Sequence, residues 1–330
     1  VLIHYSMEKV LGMGNALVDI MTRLESDELL EKFALPKGSM QLVDKDFSDK
    51  ILNQTNHLEK QQSSGGSAAN TIHGLSNLGV SVGFVGKTGK DKLGQFFNSD
   101  LEKKNIHPIL FSSENDSGRA IALVSPDSER TFATYLGASI ELSEADLSPS
   151  IFEGYKYFHI EGYLVQNHDL FRKAVKLAKE NYLLVSMDMA SYNVVEENLD
   201  FLNSVINEYI DIVFANEEES KSFTGLDPEQ ALNAISEHCE IAVVKLGKDG
   251  SLVKNKKRIY KIGATEANCI DTTGAGDLYA AGFLYGLVNE MPLNKCGELG
   301  AILGGNVIEV MGAKMDDARW NKIKELIKQI

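Results

Sequence analysis

Short continuous apolar runs alternate along this chain with longer segments whose apolar residues recur at helical spacing. That rhythm restricts the fold more than any other feature. The runs "KVLGMGN", "VSVGFVG", "YKYFHI", "YLLVSMDM", "IDIVFAN" and "EIAVVKLG" each read as a short buried strand. Between them, "SAANTIHGLSNLG" predicts a helix closed by Gly79, and Asp91 is placed to cap the helix "KLGQFFNSDLEKK". "HDLFRKAVKLAKEN" is amphipathic, and Asp227-Pro228 puts a cap and a first-position proline before "DPEQALNAISEH". Two long helices are expected from about Gly274 and Leu293, and a last one from about Asp317. Strands and helices in this order predict an α/β domain, a mostly parallel sheet with helices on both faces.

Two stretches break the rhythm. Residues 16–46 ("ALVDIMTRL", "GSMQLVD") and 111–138 ("RAIALVSPDSERTFATYL") read as short alternating strands joined by turns. They are expected to pair as a small β-sheet over the main domain, which would then comprise residues 7–15, 47–110 and 139–330. A net charge of −14 opposes nucleic acid or an anionic membrane as partner, and no apolar run approaches the length of a membrane span. Cys239, Cys269 and Cys296 are too widely spaced for a disulfide framework or a zinc site. The opening "VLIHYS" lacks a cationic region and a cleavage site, so it reads as an added or frayed start rather than a signal peptide. A reducing cytoplasm is the expected location.

Several glycine motifs need sorting. "GMGN" (Gly12–Asn15) follows a strand, but a dinucleotide fingerprint needs glycine where Leu17 stands. "GKT" at Gly86–Thr88 imitates the end of a P-loop, yet the required upstream glycine is Ser81. "DTTGAGD" (Asp271–Asp277) is different, because it runs directly into the apolar helix "LYAAGFLYGL". The N–H groups of Gly274, Ala275 and Gly276 would be unsatisfied donors at a helix start, open to an anion. Asp277 would lie inside the first turn, where the helix dipole lowers a carboxylate's pKa and favours a general base. The plainer alternative makes Asp271 or Asp277 a cap on a tight turn. "GGSAAN" (Gly65–Asn70) is a second glycine turn entering a helix, with Ser67 as a possible ordinary cap. Asn15, Asp19 and Asn70 offer the clustered amide and carboxylate groups that suit a polyol. "NEEES" (Asn216–Ser220) follows a buried strand, where open parallel sheets gather site residues, although its acids would also suit a helix start.

The ordered set NALVD, GGSAAN, NEEE, KLGKDG and DTTGAGD resembles the ribokinase (PfkB) family of sugar and nucleoside kinases, over about residues 9–315. The resemblance implies a ribokinase-like, doubly wound α/β domain with a small β-sheet lid. It implies that Asp277 deprotonates a primary hydroxyl while Gly274, Ala275 and Gly276 form the anion hole for a phosphoryl group from ATP. Asn216 and Glu219 would organise Mg²⁺ through water. Lys245, Gly247 and Gly250 would lie along the ATP site. Asp271 and the Thr273 carbonyl would belong to a monovalent-cation (K⁺) site completed by the segment after Val310. The motifs look most like the adenosine kinase branch, with a sugar kinase as the alternative. Asn15, Asp19, Gly65, Gly66 and Asn70 would then hold ribose hydroxyls. Leu17, Gln41, Leu136 and Tyr163 would line the place of the base, or else be ordinary packing residues. Asn306, polar where an apolar residue is expected, would touch the nucleotide or be a satisfied buried amide. The family admits a monomer or a homodimer.

Overall fold

The computed structural model describes residues 9–330, so "VLIHYS" lies outside the described residues. β1 (Val10–Met13) leads through Asn15 into β2 (Leu17–Arg23), α1 (Glu28–Lys32) and β3 (Met40–Leu42). Next come α2 (Lys45–Gln54), β4 (Gln61–Gly65), α3 (Ser67–Asn77) and β5 (Val82–Gly89). α4 (Lys92–Lys103) and β6 (Ile106–Ser113) precede the hairpin of β7 (Gly118–Val124) and β8 (Arg130–Tyr135). The second half starts with β9 (Tyr157–Glu161), α5 (His168–Glu180), β10 (Leu184–Asp188), α6 (Tyr192–Glu197) and α7 (Leu199–Tyr209). It continues with β11 (Ile212–Asn216), α8 (Glu217–Thr224), α9 (Pro228–Ile235) and β12 (Ile241–Lys245). A hairpin of β13 (Ser251–Asn255) and β14 (Ile259–Ile262) precedes α10 (Ala275–Val288), α11 (Leu293–Val307) and α12 (Asp317–Ile327).

Among the described residues the large sheet has nine strands in the order β14-β13-β12-β11-β10-β9-β1-β5-β6, parallel except at β13 and β14. From β1 the chain builds outward through β5 and β6, then returns to the other side of β1 as β9. Strand order therefore reverses between β1 and β9, and ligands of open α/β sheets bind in the crevice outside such a switch point. Side-chain alternation covers both faces. Leu11 and Met13 join one apolar layer with Phe171 and Val205, and Val10 joins the other with Ile72, Phe283 and Leu303. That puts α5 and α7 on one face and α3, α10 and α11 on the opposite one.

The small sheet runs β3-β8-β7-β2-β4 and is larger than the sequence predicts. β4 enters it by antiparallel pairing with β2, and Ile51 and Phe47 of α2 pack with Leu30, Ile121 and Ala133 in a separate apolar cluster. Residues 47–65 therefore go with the lid rather than with the large domain. The polar "QQSSG" of β4 carries no apolar alternation, so nothing in its pattern marks a strand. The other local expectations fare unevenly. Asp91 accepts from the Gly94 N–H at 2.8 Å, but Asp227 occupies its cap position without a side-chain cap bond. Among the described residues no helix is long and apolar enough to cross a membrane.

α10 is buried on nearly every side, from Leu278 through Leu284, because it lies between the sheet and α11. Gly282 permits that contact: a Cβ there would sit 2.4 Å from the Leu299 carbonyl oxygen, which belongs to backbone and cannot rotate away. Gly282→Ala should destabilise the fold by about 1–3 kcal/mol through overpacking, despite alanine's advantage in helices of about 1 kcal/mol. A lowered urea midpoint checks this; an unchanged or raised midpoint contradicts it.

Candidate active site

The carboxyl ends of the central strands open into a cleft of about 1170 Å³ beneath the small sheet. One small ligand commonly occupies about 300–1,000 Å³, so the space suits two molecules side by side. At its centre is the start of α10. Gly274 is the N-cap with φ +76°, a left-handed conformation that glycine adopts without strain. The three amides are not equally free. That of Ala275 turns back to the Thr272 carbonyl at 3.1 Å, while those of Gly274 and Gly276 have no partner among the described turn and cap bonds.

Asp277 lies in the first turn, as expected, and its carboxylate is held from α3. Ser67 Oγ donates to Oδ1 at 2.7 Å and Asn70 Nδ2 donates to Oδ2 at 2.9 Å. The "GGSAAN" and "DTTGAGD" turns thus form one unit. Contrary to the expectation from the helix dipole, the Asp277 pKa is raised. Desolvation is the largest cause and outweighs the donors Asn70 and Ser67, with Asp188 opposing ionisation further. A helix start offers a partial charge, which is small beside the loss of water.

Glu161, which sequence reasoning missed, closes the switch point. This buried carboxylate accepts from the Asn15 N–H and Nδ2, both at 2.8 Å, and from the Ala68 N–H at 3.0 Å. Burial raises its pKa to about 7 against those three donors. Asn15 consequently stands behind the cleft wall, with Oδ1 buried and unpartnered. Gly66, at φ +98°, brings the turn against β1: a Cβ there would meet the Asn15 carbonyl oxygen at 2.2 Å. Asp19, Gly66 and Asn70 line the cleft, as does Tyr163. Packing pushes the Asp19 carboxyl up to about 6, with Lys314 pulling the other way.

Besides Asn15, four expected contacts do not reach the cleft wall. Gly65 sits behind it, where a Cβ would strike the Asp19 carboxylate. Leu17 packs against Gly118. Gln41 is exposed on the edge strand β3, and Leu136 heads a short helical turn after β8. The ordinary packing reading therefore describes Leu17 and Leu136 in this conformation.

The opposite end of the cleft carries charge. Asn216 and Glu219 form a reciprocal capping box on α8: Glu219 accepts from the Asn216 N–H and Nδ2 at 2.7 Å, and Asn216 Oδ1 accepts from the Glu219 N–H at 2.8 Å. Burial, and then Asp188, push Glu219 up to about 7. Lys245 Nζ bonds Asp188 Oδ2 at 2.6 Å. Burial works against its charge, but Asp188 and Glu219 hold its pKa above the ordinary value. Gly247 and Gly250 line the same end, at φ +55° and +89°. Asn306 does not line the cleft; its Nδ2 turns back to the Ile302 carbonyl at 2.8 Å and its Oδ1 is buried without a partner. Lys245 already meets the charge of Asp188, so of the two buried carboxylates Asp188 and Glu219 it is Glu219 that would face Mg²⁺ arriving with phosphate oxygens.

Asp271 behaves differently from the expectation of a K⁺ site. Arg130, reaching down from β8, pairs with its Oδ1 and also bonds Thr273 Oγ1. Asp271 Oδ2 accepts from the Gly312 N–H at 2.6 Å. A guanidinium already neutralises the carboxylate, so these residues do not fit a bound cation in this conformation. Among the described residues no group of three or more His, Cys, Asp or Glu side chains could hold a metal ion.

A ribokinase-like sheet, a strand-built lid, and an acid beside a glycine turn define a kinase that phosphorylates a hydroxyl group. The chain matches the pfkB family carbohydrate kinases over residues 41–319 and belongs to that family. It resembles the solved adenosine kinase from Sinorhizobium meliloti at 31% identity, covering 97% of this chain and 100% of that one, with a TM-score of 0.85. A probable sugar kinase from Rhizobium etli CFN 42 is 30% identical over 97% and 98% of the two chains, with a TM-score of 0.86. The 5-dehydro-2-deoxygluconokinase of Clostridium botulinum (strain Eklund 17B / Type B) is 28% identical over 80% of this chain and 84% of its own.

The lid clasp has a measurable strength. Side chains of Arg130 and Asp271 are 8% and 7% exposed, and Asp271 keeps two backbone donors if the guanidinium is lost. Arg130→Ala should therefore cost about 1.5–3 kcal/mol, the range of a charge-assisted hydrogen bond. A double-mutant cycle with Asp271→Asn measures it in urea, and strict additivity would show that the pair contributes nothing.

Proposed function

We propose that this kinase transfers the γ-phosphoryl group of MgATP to the primary hydroxyl of a ribonucleoside, adenosine first among candidates, with Asp277 as general base. The observation that carries the reading is the carboxylate of Asp277, oriented by Ser67 and Asn70 beside the glycine turn. The acceptor hydroxyl gives its proton to Asp277 as its oxygen bonds to the γ-phosphorus. The bond to the β-phosphate oxygen breaks, and ADP leaves with that electron pair. Gly274 and Gly276 offer amides to the migrating group, and Lys245 lies alongside: a Cβ on Gly276 would sit 3.0 Å from its Nζ. Such chemistry depends on positioning and charge stabilisation. When bound, Mg²⁺ would offset charge on the phosphates near Glu219.

For the acceptor, the likeness to the rhizobial adenosine kinase favours a nucleoside. A sugar kinase acting on ribose, fructose, 2-keto-3-deoxygluconate or 5-dehydro-2-deoxygluconate is the second reading. It is favoured by Gln41, Leu17 and Leu136 lying away from the cleft wall, which leaves Tyr163 alone among the four expected base contacts. A binding protein without catalysis is opposed by the intact Asp277 network.

An ADP-release screen with these sugars plus adenosine, inosine and guanosine, with and without K⁺, separates the readings. Adenosine should give the highest kcat/KM, and a sugar ahead of every nucleoside would reverse the order. Asp277→Asn should lose about 10²–10⁴ in kcat while ATP still binds, since a positioned base contributes that much. Near-normal turnover in this variant would sink the mechanism.

The pH profile follows from desolvation. A base must be ionised, so kcat/KM should fall on the acid side with an apparent pKa above the ordinary carboxylate value of about 3.9. Ser67 donates to the charged form and thereby lowers the pKa. Ser67→Ala should move the acid limb up by roughly one pH unit; a limb that stays fixed or moves down would separate it from Asp277.

A further inference from the structure

Lys314 stands in the loop between α11 and α12, and none of the motifs reaches it. Its Nζ donates to Asn70 Oδ1 at 2.9 Å. The same amide donates through Nδ2 to Asp277 Oδ2 at 2.9 Å. A primary amide has two chemically opposite ends, whereas an ammonium only donates and an ionised carboxylate only accepts. The arrangement therefore has one workable orientation. Flipping Asn70 would set its N–H₂ against the ammonium and its carbonyl oxygen against the carboxylate.

We infer that Lys314 is a positioning residue: it locks the amide of Asn70 so that Nδ2 always faces Asp277, which fixes where the base's remaining lone pairs point. The inference rests on the reading of Asp277 as base. A second observation supports it independently of that amide. The two residues before Lys314 also engage the site: the Gly312 N–H bonds Asp271, and Ala313 packs against Gly274. A Cβ on Gly274 would lie 2.6 Å from that of Ala313, so the loop is pressed against the glycine turn. The loop after α11 thus ties the "DTTGAGD" turn to the "GGSAAN" turn through side-chain chemistry. An alternative use of the ammonium, gripping an anionic group on the acceptor, would affect binding rather than turnover.

The test is a kinetic cycle with MgATP and the best acceptor from the screen above. It compares Lys314→Met, Lys314→Arg, Asn70→Ala and the Lys314→Met/Asn70→Ala double variant. Lys314→Met should lower kcat roughly tenfold, the equivalent of one lost charge-assisted hydrogen bond. The acceptor KM should stay within about twofold, the pattern of an interaction felt only in the transition state. Lys314→Arg, which still only donates, should recover most of kcat. In the Asn70→Ala background Lys314→Met should have no further effect, because the relay is already broken. A rise in KM at constant kcat, an equal loss in both backgrounds, or failure of arginine at unchanged Tm overturns the inference. If Lys314→Met does not fold, Lys314→Gln keeps a donor without the charge and carries the same cycle. Asp277→Asn at full rate would instead remove the base reading, so the two failures are distinguishable.

Discussion

A buried carboxylate holds the two halves of this molecule in register. Glu161 ends β9, on one side of the strand-order reversal, and its three acceptor bonds go to Asn15 and Ala68, which belong to the other side. Parallel strands alone would join β1 and β9 without fixing what emerges from them. The carboxylate fixes both the exit of β1 toward the lid and the start of α3 toward the base. It is costly to bury, as its pKa of about 7 reflects, and a fully hydrogen-bonded setting is what makes that burial tolerable. Gly14 leaves room for it: a Cβ there would lie 2.2 Å from Oε2.

The cleft repeats this pattern of desolvated charge. Asp19, Glu219 and Asp277 all have raised pKa values, and in each case loss of water is the first cause. Two lysines answer them differently. Lys245 is held charged by Asp188 and Glu219, whereas desolvation brings Lys314 down to about 8 against the pull of Asp19, Asp100 and Asp277. Acid and base groups with pKa values displaced toward neutrality are what proton transfer near pH 7 requires.

How far the sequence showed this depended on the distance over which each signal acts. Glycine turns, caps and buried runs are local, so the sheet, the helix start at Gly274 and the placement of Asp277 were all readable. β4, β6, β13 and β14 were not, and residues 111–113, expected in the small sheet, end β6 of the large one, because strands at or beside a sheet edge form through backbone pairing rather than a side-chain pattern. Glu161, Asp188, Arg130 and Lys314 are single residues whose partners lie far along the chain, and no spacing announces them. A weak signal existed for two of them: Glu161 and Asp188 stand at the carboxyl ends of buried strands, where open α/β sheets gather functional groups. The pKa of Asp277 was misjudged for another reason. Its sequence neighbours supply the helix dipole, but the burial that outweighs it comes from the tertiary fold, and Asp188, far away in the chain, opposes ionisation further.

The small sheet is wired into the base by covalent continuity. β4 ends at Gly65, and two residues later Ser67 is bonded to Asp277. β2 carries Asp19 into the cleft and pairs with β4 through Asp19 and Ser63. On the far side, β8 sends Arg130 down to Asp271 at the head of the glycine turn. The lid therefore meets the catalytic helix start from both flanks, through the α3 turn on one and the guanidinium on the other. Any shift of the small sheet against the large one would therefore load one of these connections. The α3 turn is pinned by Glu161, Asn70 and Lys314, while the Arg130 pair is a contact between separate segments. The two flanks thus differ in kind: several bonds within the large domain hold the α3 turn, whereas the guanidinium of Arg130 joins β8 to the glycine turn directly.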